Sequence, residues 1–158
     1  MTEIQARPNR LPWPPLIYLA AIAASIVLHL VYPLPFIGPP LSDILFAGGG
    51  LLIIGVVAID VSAIRTLQRA KTTVMPHRGS EHLVTNGAFS FSRNPIYLAN
   101  TMLMFGAGLM SQIVWFFPLG LIAAFLTQKL AIEREEKHLE IRFGKRYRDY
   151  AKRVRRWI

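Results

Sequence analysis

The sequence predicts an all-α, polytopic membrane protein with about four transmembrane helices and a cytoplasmic C-terminal helical segment. The 158 residues are 53% hydrophobic, and the mean hydropathy is positive, at +0.36. All 18 Lys and Arg residues fall in three blocks, at 7–10, 65–93 and 129–156. Charged side chains are costly in hydrocarbon, and basic residues stay on the cytoplasmic side of short loops. The apolar stretches between the blocks therefore predict membrane crossings.

Four apolar segments fit this spacing, because a helical span needs about 20 apolar residues. Trp13 and Tyr18 lie near one end of the first segment, where amphipathic rings favour the membrane–water interface. Both termini and the polar loop 72–94 fall on the basic side, so we expect an integral protein of the inner, or cytoplasmic, membrane with both termini cytoplasmic. The predicted spans are 14–32, 43–64, 95–111 and 113–131.

Two features of the spans bear on packing and on ligand binding. The second span carries Gly48, Gly49 and Gly50, which permit close approach of a neighbouring helix. The third follows Asn94, and Pro95 is typical of the first turn of a helix. Free backbone N–H groups of that turn face the polar loop, where they can hold a polar ligand.

The segment 132–158 begins as a continuation of the fourth helix. At 100° per residue, Ile132, Leu139 and Phe143 share one apolar stripe, and Glu135 and Glu136 fall on its two edges. Adjacent carboxylates beside a buried face are costly unless a cation or a hydrogen-bond donor meets them. Ion pairing with nearby arginines is one explanation and a ligand site is the other.

Composition excludes several other classes. The chain has no cysteine, so disulfides and a thiolate metal site are absent, and we predict no metal. The net charge of +9 is explained by a basic face beside anionic lipid, so we expect the bilayer as a partner and no nucleic acid. A second span follows the first, which disfavours a cleaved signal peptide. We predict one domain, 1–158, of unknown oligomeric state.

Four motifs occur in order in the second half of the chain: Leu83-Val84-Thr85-Asn86-Gly87-Ala88-Phe89, Arg93-Asn94-Pro95-Ile96-Tyr97, Glu135-Glu136-Lys137-His138-Leu139, and Phe143-Gly144 with Tyr147 and Tyr150. The series resembles the isoprenylcysteine carboxyl methyltransferase and phospholipid methyltransferase superfamily of membrane enzymes. The resemblance covers residues 72–156.

This resemblance implies S-adenosyl-L-methionine as methyl donor, bound between the last membrane helices and the C-terminal segment. Carboxylates suit its sulfonium and ammonium groups, aromatic rings suit its adenine, and backbone N–H groups suit its carboxylate. We expect the acidic doublet and the Asn-Pro-x-Tyr corner to converge in one polar chamber. The cofactor contacts implied by the resemblance are Glu81, His82, Leu83, Val84, Phe89, Asn94, Pro95, Ile96, Tyr97 and Glu135.

The reaction implied is an in-line displacement at carbon, which needs alignment and exclusion of water rather than a nucleophilic side chain. The acceptor is a lipophilic small molecule with a carboxylate or amine head group. The predicted catalytic residues are Glu136, which can take or steer the proton of an amine, and Arg93. Ala131 occupies the position where prenylcysteine enzymes usually carry an arginine, so Lys129 and Arg134 are the predicted substrate-binding residues.

Two other functions remain open from the sequence. Sterol reductases resemble the C-terminal half and use NADPH, although a Glu-Glu pair would repel the 2′-phosphate. A non-catalytic module would bind lipid or a partner helix through its basic face and its glycines. Lipid anchoring alone has no use for the two carboxylates.

Overall fold

The computed structural model describes residues 12–71 and 82–158, and within these ranges the chain forms helices and no strand. A short 3-10 helix, Gly87–Ser90, precedes the α-helix that begins at Pro95, and a π-helical turn, Gln128–Ile132, joins the helix Phe116–Thr127 to the helix Glu133–Phe143. The prediction of an all-α protein with a C-terminal helical segment is confirmed. The α-helices are α1, Trp13–Val31; α2, Leu41–Arg69; α3, Pro95–Ser111; α4, Phe116–Thr127; α5, Glu133–Phe143; and α6, Lys145–Arg153.

Three of the described helical stretches are long and apolar enough to cross a membrane: Trp13–Val31, Leu41–Arg69 and the continuous helix Phe116–Phe143. These make the chain an integral membrane protein. Helix α3 has 17 residues, about 26 Å at 1.5 Å per residue, which is at the short limit for a span. The count of four spans therefore depends on α3, and the predicted span boundaries and the orientation of the termini stay predictions.

The outward faces of the bundle are apolar, as a hydrocarbon solvent requires. Leu30, Leu51 and Ile54 are each at least two-thirds exposed. Inside, α1 packs on α4, and α3 packs between α2 and α4. The core cluster of Tyr18, Met104, Phe116 and Ala123 lies where α1, α3 and α4 meet.

Close approach of α2 to α3 depends on one glycine in each helix. A methyl group at Gly49 would lie 2.8 Å from Met110 Cγ and 2.9 Å from the Gly106 carbonyl oxygen, and one at Gly106 would lie 2.8 Å from Ile53 Cδ1. Nothing lies within 4 Å of a methyl group at Gly48 or Gly50. Of the glycine triplet, Gly49 alone forms the helix contact expected from the sequence.

The buried face of α5 differs from the predicted stripe. Ile132 is fully buried, as expected, but the most buried side chain of α5 is His138, while Leu139 and Phe143 stay half-buried. Polar groups of α3 and of the C-terminal segment meet Glu135 and Glu136 of this helix. Hydrophobic periodicity detects apolar burial and therefore misses a face that is closed by polar neighbours.

We predict that Gly49→Ala lowers the thermal unfolding temperature of the protein in detergent, because the added methyl group meets backbone and side-chain atoms that cannot yield cheaply. Overpacking of this kind costs about 1–3 kcal/mol. Gly50→Ala is the matched control and should leave the unfolding temperature unchanged or slightly raised. Equal effects of the two substitutions would contradict the close α2–α3 contact.

Candidate functional site

The acidic doublet and the Asn-Pro-x-Tyr corner meet at one end of the helix bundle, as expected, while a single polar chamber around them stays a prediction. The Tyr97 hydroxyl donates a hydrogen bond to Glu135 Oε1 at 2.7 Å across 38 residues of sequence. Pro95 is the first residue of α3, so Tyr97 lies in the first turn of that helix. Glu135 lies in the first turn of α5. The bond joins the starts of two helices that carry different motifs.

Glu135 lies in the charged helix α5, beyond the apolar stretch that ends at Ile132. Its side chain is half-buried, and its carboxyl group accepts the hydrogen bond from the Tyr97 hydroxyl. A half-buried carboxyl group needs such a donor, because burial of a polar group without a partner is costly.

Glu136 points to a different set of partners, because it lies about 100° further around the helix. Its Oε1 accepts hydrogen bonds from Arg93 Nη2 at 2.7 Å and from Arg156 Nε at 3.0 Å. Its Oε2 accepts from Arg156 Nη2 at 2.6 Å. Ion pairs with two arginines therefore compensate the charge of Glu136, whereas the partner of Glu135 is a neutral tyrosine.

The corner also holds the C-terminal tail, residues 154–158, through backbone groups. The Arg93 amide donates to the Arg155 carbonyl at 3.0 Å, and Asn94 Nδ2 donates to the Arg156 carbonyl at 3.0 Å. Trp157 Nε1 donates to Gln128 Oε1 at 2.9 Å. Asn94 was predicted to contact the cofactor, and in this structure its amide group is used by the tail.

The other predicted residues are distributed as follows. His82 is exposed, Leu83, Val84, Phe89 and Ile96 are half-buried, and Pro95 is buried. The Phe89 carbonyl accepts a hydrogen bond from the Tyr150 hydroxyl at 2.7 Å. Lys129 pairs with Glu133 at 2.7 Å, and Arg134 is exposed. Glu81 lies outside the described residues, and the roles of all these side chains stay predictions.

Tyr18 supports the corner from α1, a contact that the sequence did not indicate. Predicted to lie at the interface, it is only 5% exposed. Its hydroxyl lies 2.6 Å from Thr101 Oγ1 and donates to the Tyr97 carbonyl at 3.3 Å, while Thr101 Oγ1 donates to the same carbonyl at 3.0 Å. No sequence signal links residues 79 positions apart, so only the fold reveals this support.

The backbone conformation of Gly87 explains why the first motif has a glycine at this position. Its φ of +59° lies in the left-handed region that favours glycine. A side chain there would collide with the hydroxyl of Thr66 on α2. The glycine thus lets the 3-10 helix that carries Phe89 lie against α2.

Within the described ranges, no group of three or more His, Cys, Asp or Glu side chains could hold a metal ion. The polar chemistry at this end of the bundle is that of carboxyl, guanidinium and phenol groups. Of these groups, a carboxyl group can meet a cation or accept a proton, whereas guanidinium groups can meet an anion.

Comparisons with known proteins agree with the motifs. A family model described as phospholipid methyltransferase matches residues 44–146. The nickel-cobalt-cadmium resistance protein NccN of Alcaligenes xylosoxydans xylosoxydans is 30% identical over 112 residues, which are 71% of this chain and 51% of that protein. The chain thus spans about half the length of this relative. No solved structure matches.

We predict that Arg156→Gln loosens the C-terminal tail, because Glu136 loses both hydrogen bonds that Arg156 donates. Charge-assisted bonds are worth about 1.5–3 kcal/mol, so amide exchange of Arg93 and Val154 should accelerate roughly tenfold or more. The control is Arg155→Gln, since the Arg155 side chain is exposed. Hydrogen–deuterium exchange measures these amide exchange rates in both variants. Equal rates in the two variants would show that the Arg156–Glu136 hydrogen bonds do not hold the tail.

Proposed function

The chain belongs to the phospholipid methyltransferase family, and from this premise we propose that it transfers a methyl group from S-adenosylmethionine to a lipophilic acceptor at the cytoplasmic face of the membrane. The observation that carries the proposal is the 2.7 Å hydrogen bond between Tyr97 and Glu135. It brings the two motifs that the superfamily resemblance assigns to the donor into direct contact.

The residues around Glu135 fit a sulfonium donor. Glu135 offers a half-buried carboxyl group, of which Tyr97 uses one oxygen, so the other can face a cation. Phe89 and Tyr97 offer rings against which an adenine can pack. Pro95 begins α3, and N–H groups in the first turn of a helix have no intrahelical acceptor and suit a carboxylate. When bound, the donor supplies an electrophilic methyl group.

The protein's own groups would then align the acceptor and handle its proton. A primary or secondary amine acceptor would lose one proton when the carbon–nitrogen bond forms and the carbon–sulfur bond of the donor breaks, whereas a tertiary amine or a carboxylate acceptor would lose none. Glu136, the predicted proton acceptor, already accepts three hydrogen bonds from Arg93 and Arg156. It can take a proton only if one of them is displaced, so Glu135, which accepts the Tyr97 hydrogen bond through one oxygen, is better placed to accept it.

Arg93 has a positioning role in this proposal. It connects Glu136, the Ala151 carbonyl at 3.3 Å and, through its amide, the Arg155 carbonyl. These bonds fix the tail and α6 against the corner that carries Tyr97. The predicted substrate-binding residues Lys129 and Arg134 remain candidates for contact with an acceptor carboxylate.

The two alternatives predict different ligands and different sensitive residues. A reductase would bind NADPH, and a non-catalytic lipid-binding module would be indifferent to Glu135. Titration of the purified protein with S-adenosylmethionine and with NADPH distinguishes the methyltransferase from the reductase. The paired Tyr97 and Glu135 side chains favour the methyltransferase, because lipid anchoring gains nothing from a half-buried carboxyl group.

We expect Glu135→Gln to weaken S-adenosylmethionine binding about tenfold or more, because the variant keeps the shape but loses the charge that meets a cation. Calorimetric titration and transfer of radiolabelled methyl to extracted lipid measure binding and turnover. Asp149→Asn is the control, since Asp149 is exposed on α6. Binding of the donor that is unchanged in Glu135→Gln would refute this assignment.

The acceptor should appear as a lipid whose mass increases by one CH2 group. Mass spectrometry of lipids from cells that express the protein, compared with cells that express Glu135→Gln, would identify it. A lipid pair seen only with the unchanged protein supports the proposal. Identical lipid profiles in the two kinds of cell would count against a lipid acceptor, provided that the protein is expressed and binds the donor.

A further inference from the structure

A polar cleft lies between α5 and α6, on the face of α5 that carries Glu136 rather than Glu135. The cleft is open to the surface, and its volume of about 480 Å³ is large enough for a small ligand. The cleft lies beside the corner, because Arg93 forms part of its wall. The side chains that line the cleft include Arg93, Glu136, Lys137, Tyr147, Lys152 and Arg156.

Two hydrogen-bond donors of this cleft are buried and have no acceptor within the described part of the chain: the Tyr147 hydroxyl and Arg93 Nε. Tyr147 is only 5% exposed. A buried donor without a partner costs about 1–3 kcal/mol, and native structures contain few of them. Burial raises the pKa of Tyr147, and the charge of Glu136 adds to this effect, so the phenol keeps its proton and remains a donor.

The charge of the cleft is positive after ion pairs are considered. Five basic and three acidic side chains line it. Glu136 is neutralised by Arg93 and Arg156, Glu133 by Lys129, and Glu140 lies 3.7 Å from Arg148. Lys137 and Lys152 form no ion pair with another described residue. The cleft therefore combines two orphaned donors with two unpaired ammonium groups.

We propose that this cleft binds a phosphate-type oxyanion, with Tyr147 and Arg93 as the buried donors and Lys137 and Lys152 as the cations at its rim. A phosphate carries a charge of about −1.5 to −2 and three strong acceptor oxygens, which match two cations and two donors. The site is separate from the Tyr97–Glu135 pair and does not depend on methyl transfer.

The source of the phosphate is a phospholipid head group or free phosphate. Arg93 directly precedes the residues that start α3, so the cleft lies at the level where that helix begins. A lipid head group is therefore within reach of the cleft, and its negative charge suits the unpaired ammonium groups of Lys137 and Lys152. Free phosphate from solution offers the same chemistry without a lipid tail.

The test uses the full chain, purified in a neutral detergent and stripped of lipid. Isothermal titration with sodium phosphate, at ionic strength held constant with sodium chloride, measures the first source. Titration with short-chain phosphatidic acid, alone and in the presence of phosphate, measures the second. We expect saturable binding that Tyr147→Phe weakens about tenfold, that Lys152→Gln also weakens, and that Lys145→Gln, an exposed α6 residue outside the cleft, leaves unchanged.

The outcomes of these titrations distinguish a lipid head group, free phosphate and the absence of a phosphate site. Binding of phosphatidic acid that phosphate displaces assigns the site to a head group, and binding of phosphate alone assigns it to the free ion. No saturable binding of either, or equal losses in Tyr147→Phe and Lys145→Gln, would overturn the proposal and leave water as the partner of the two donors. Tyr147→Phe keeps the buried ring, and Lys152→Gln provides an independent surface variant if the first unfolds.

Discussion

The acidic doublet is the constraint on which this end of the molecule depends. Glu135 and Glu136 are adjacent on α5, and the helix directs them to different partners, Tyr97 at 2.7 Å and Arg93 with Arg156. One carboxyl group thereby connects α5 to α3, and the other connects α5 to the corner and the tail. Two adjacent charges are tolerated there because each has its own hydrogen-bonded partner.

The membrane bundle holds this junction in place. Gly49 lets α2 pack closely on α3, and Tyr18 of α1 bonds to the Tyr97 carbonyl in the first turn of α3. Buried hydrogen bonds between helices fix their relative rotation, since hydrocarbon offers no alternative partner. The matching family model begins at residue 44, so α1 contributes to the junction from outside the matched region.

The two polar regions beside α5 have different chemistry. On one side the carboxyl group of Glu135 faces the phenol of Tyr97, an arrangement suited to a cationic ligand and to a proton. On the other side arginines and lysines exceed the carboxylates, an arrangement suited to an anion. The two regions lie on different faces of α5, because adjacent residues of a helix such as Glu135 and Glu136 point about 100° apart.

The sequence by itself determined the helical membrane class, the start of α3 at Pro95, and the motifs that meet at Glu135, because apolar length, charge spacing and helix-start chemistry are local properties. Only the tertiary structure decided that Asn94 holds the tail, that Tyr18 is buried, that Gly49 rather than its neighbours forms the helix contact, and that Tyr147 lies in a cleft. Each of these depends on which residues distant in sequence become neighbours, and local periodicity carries no record of such pairings.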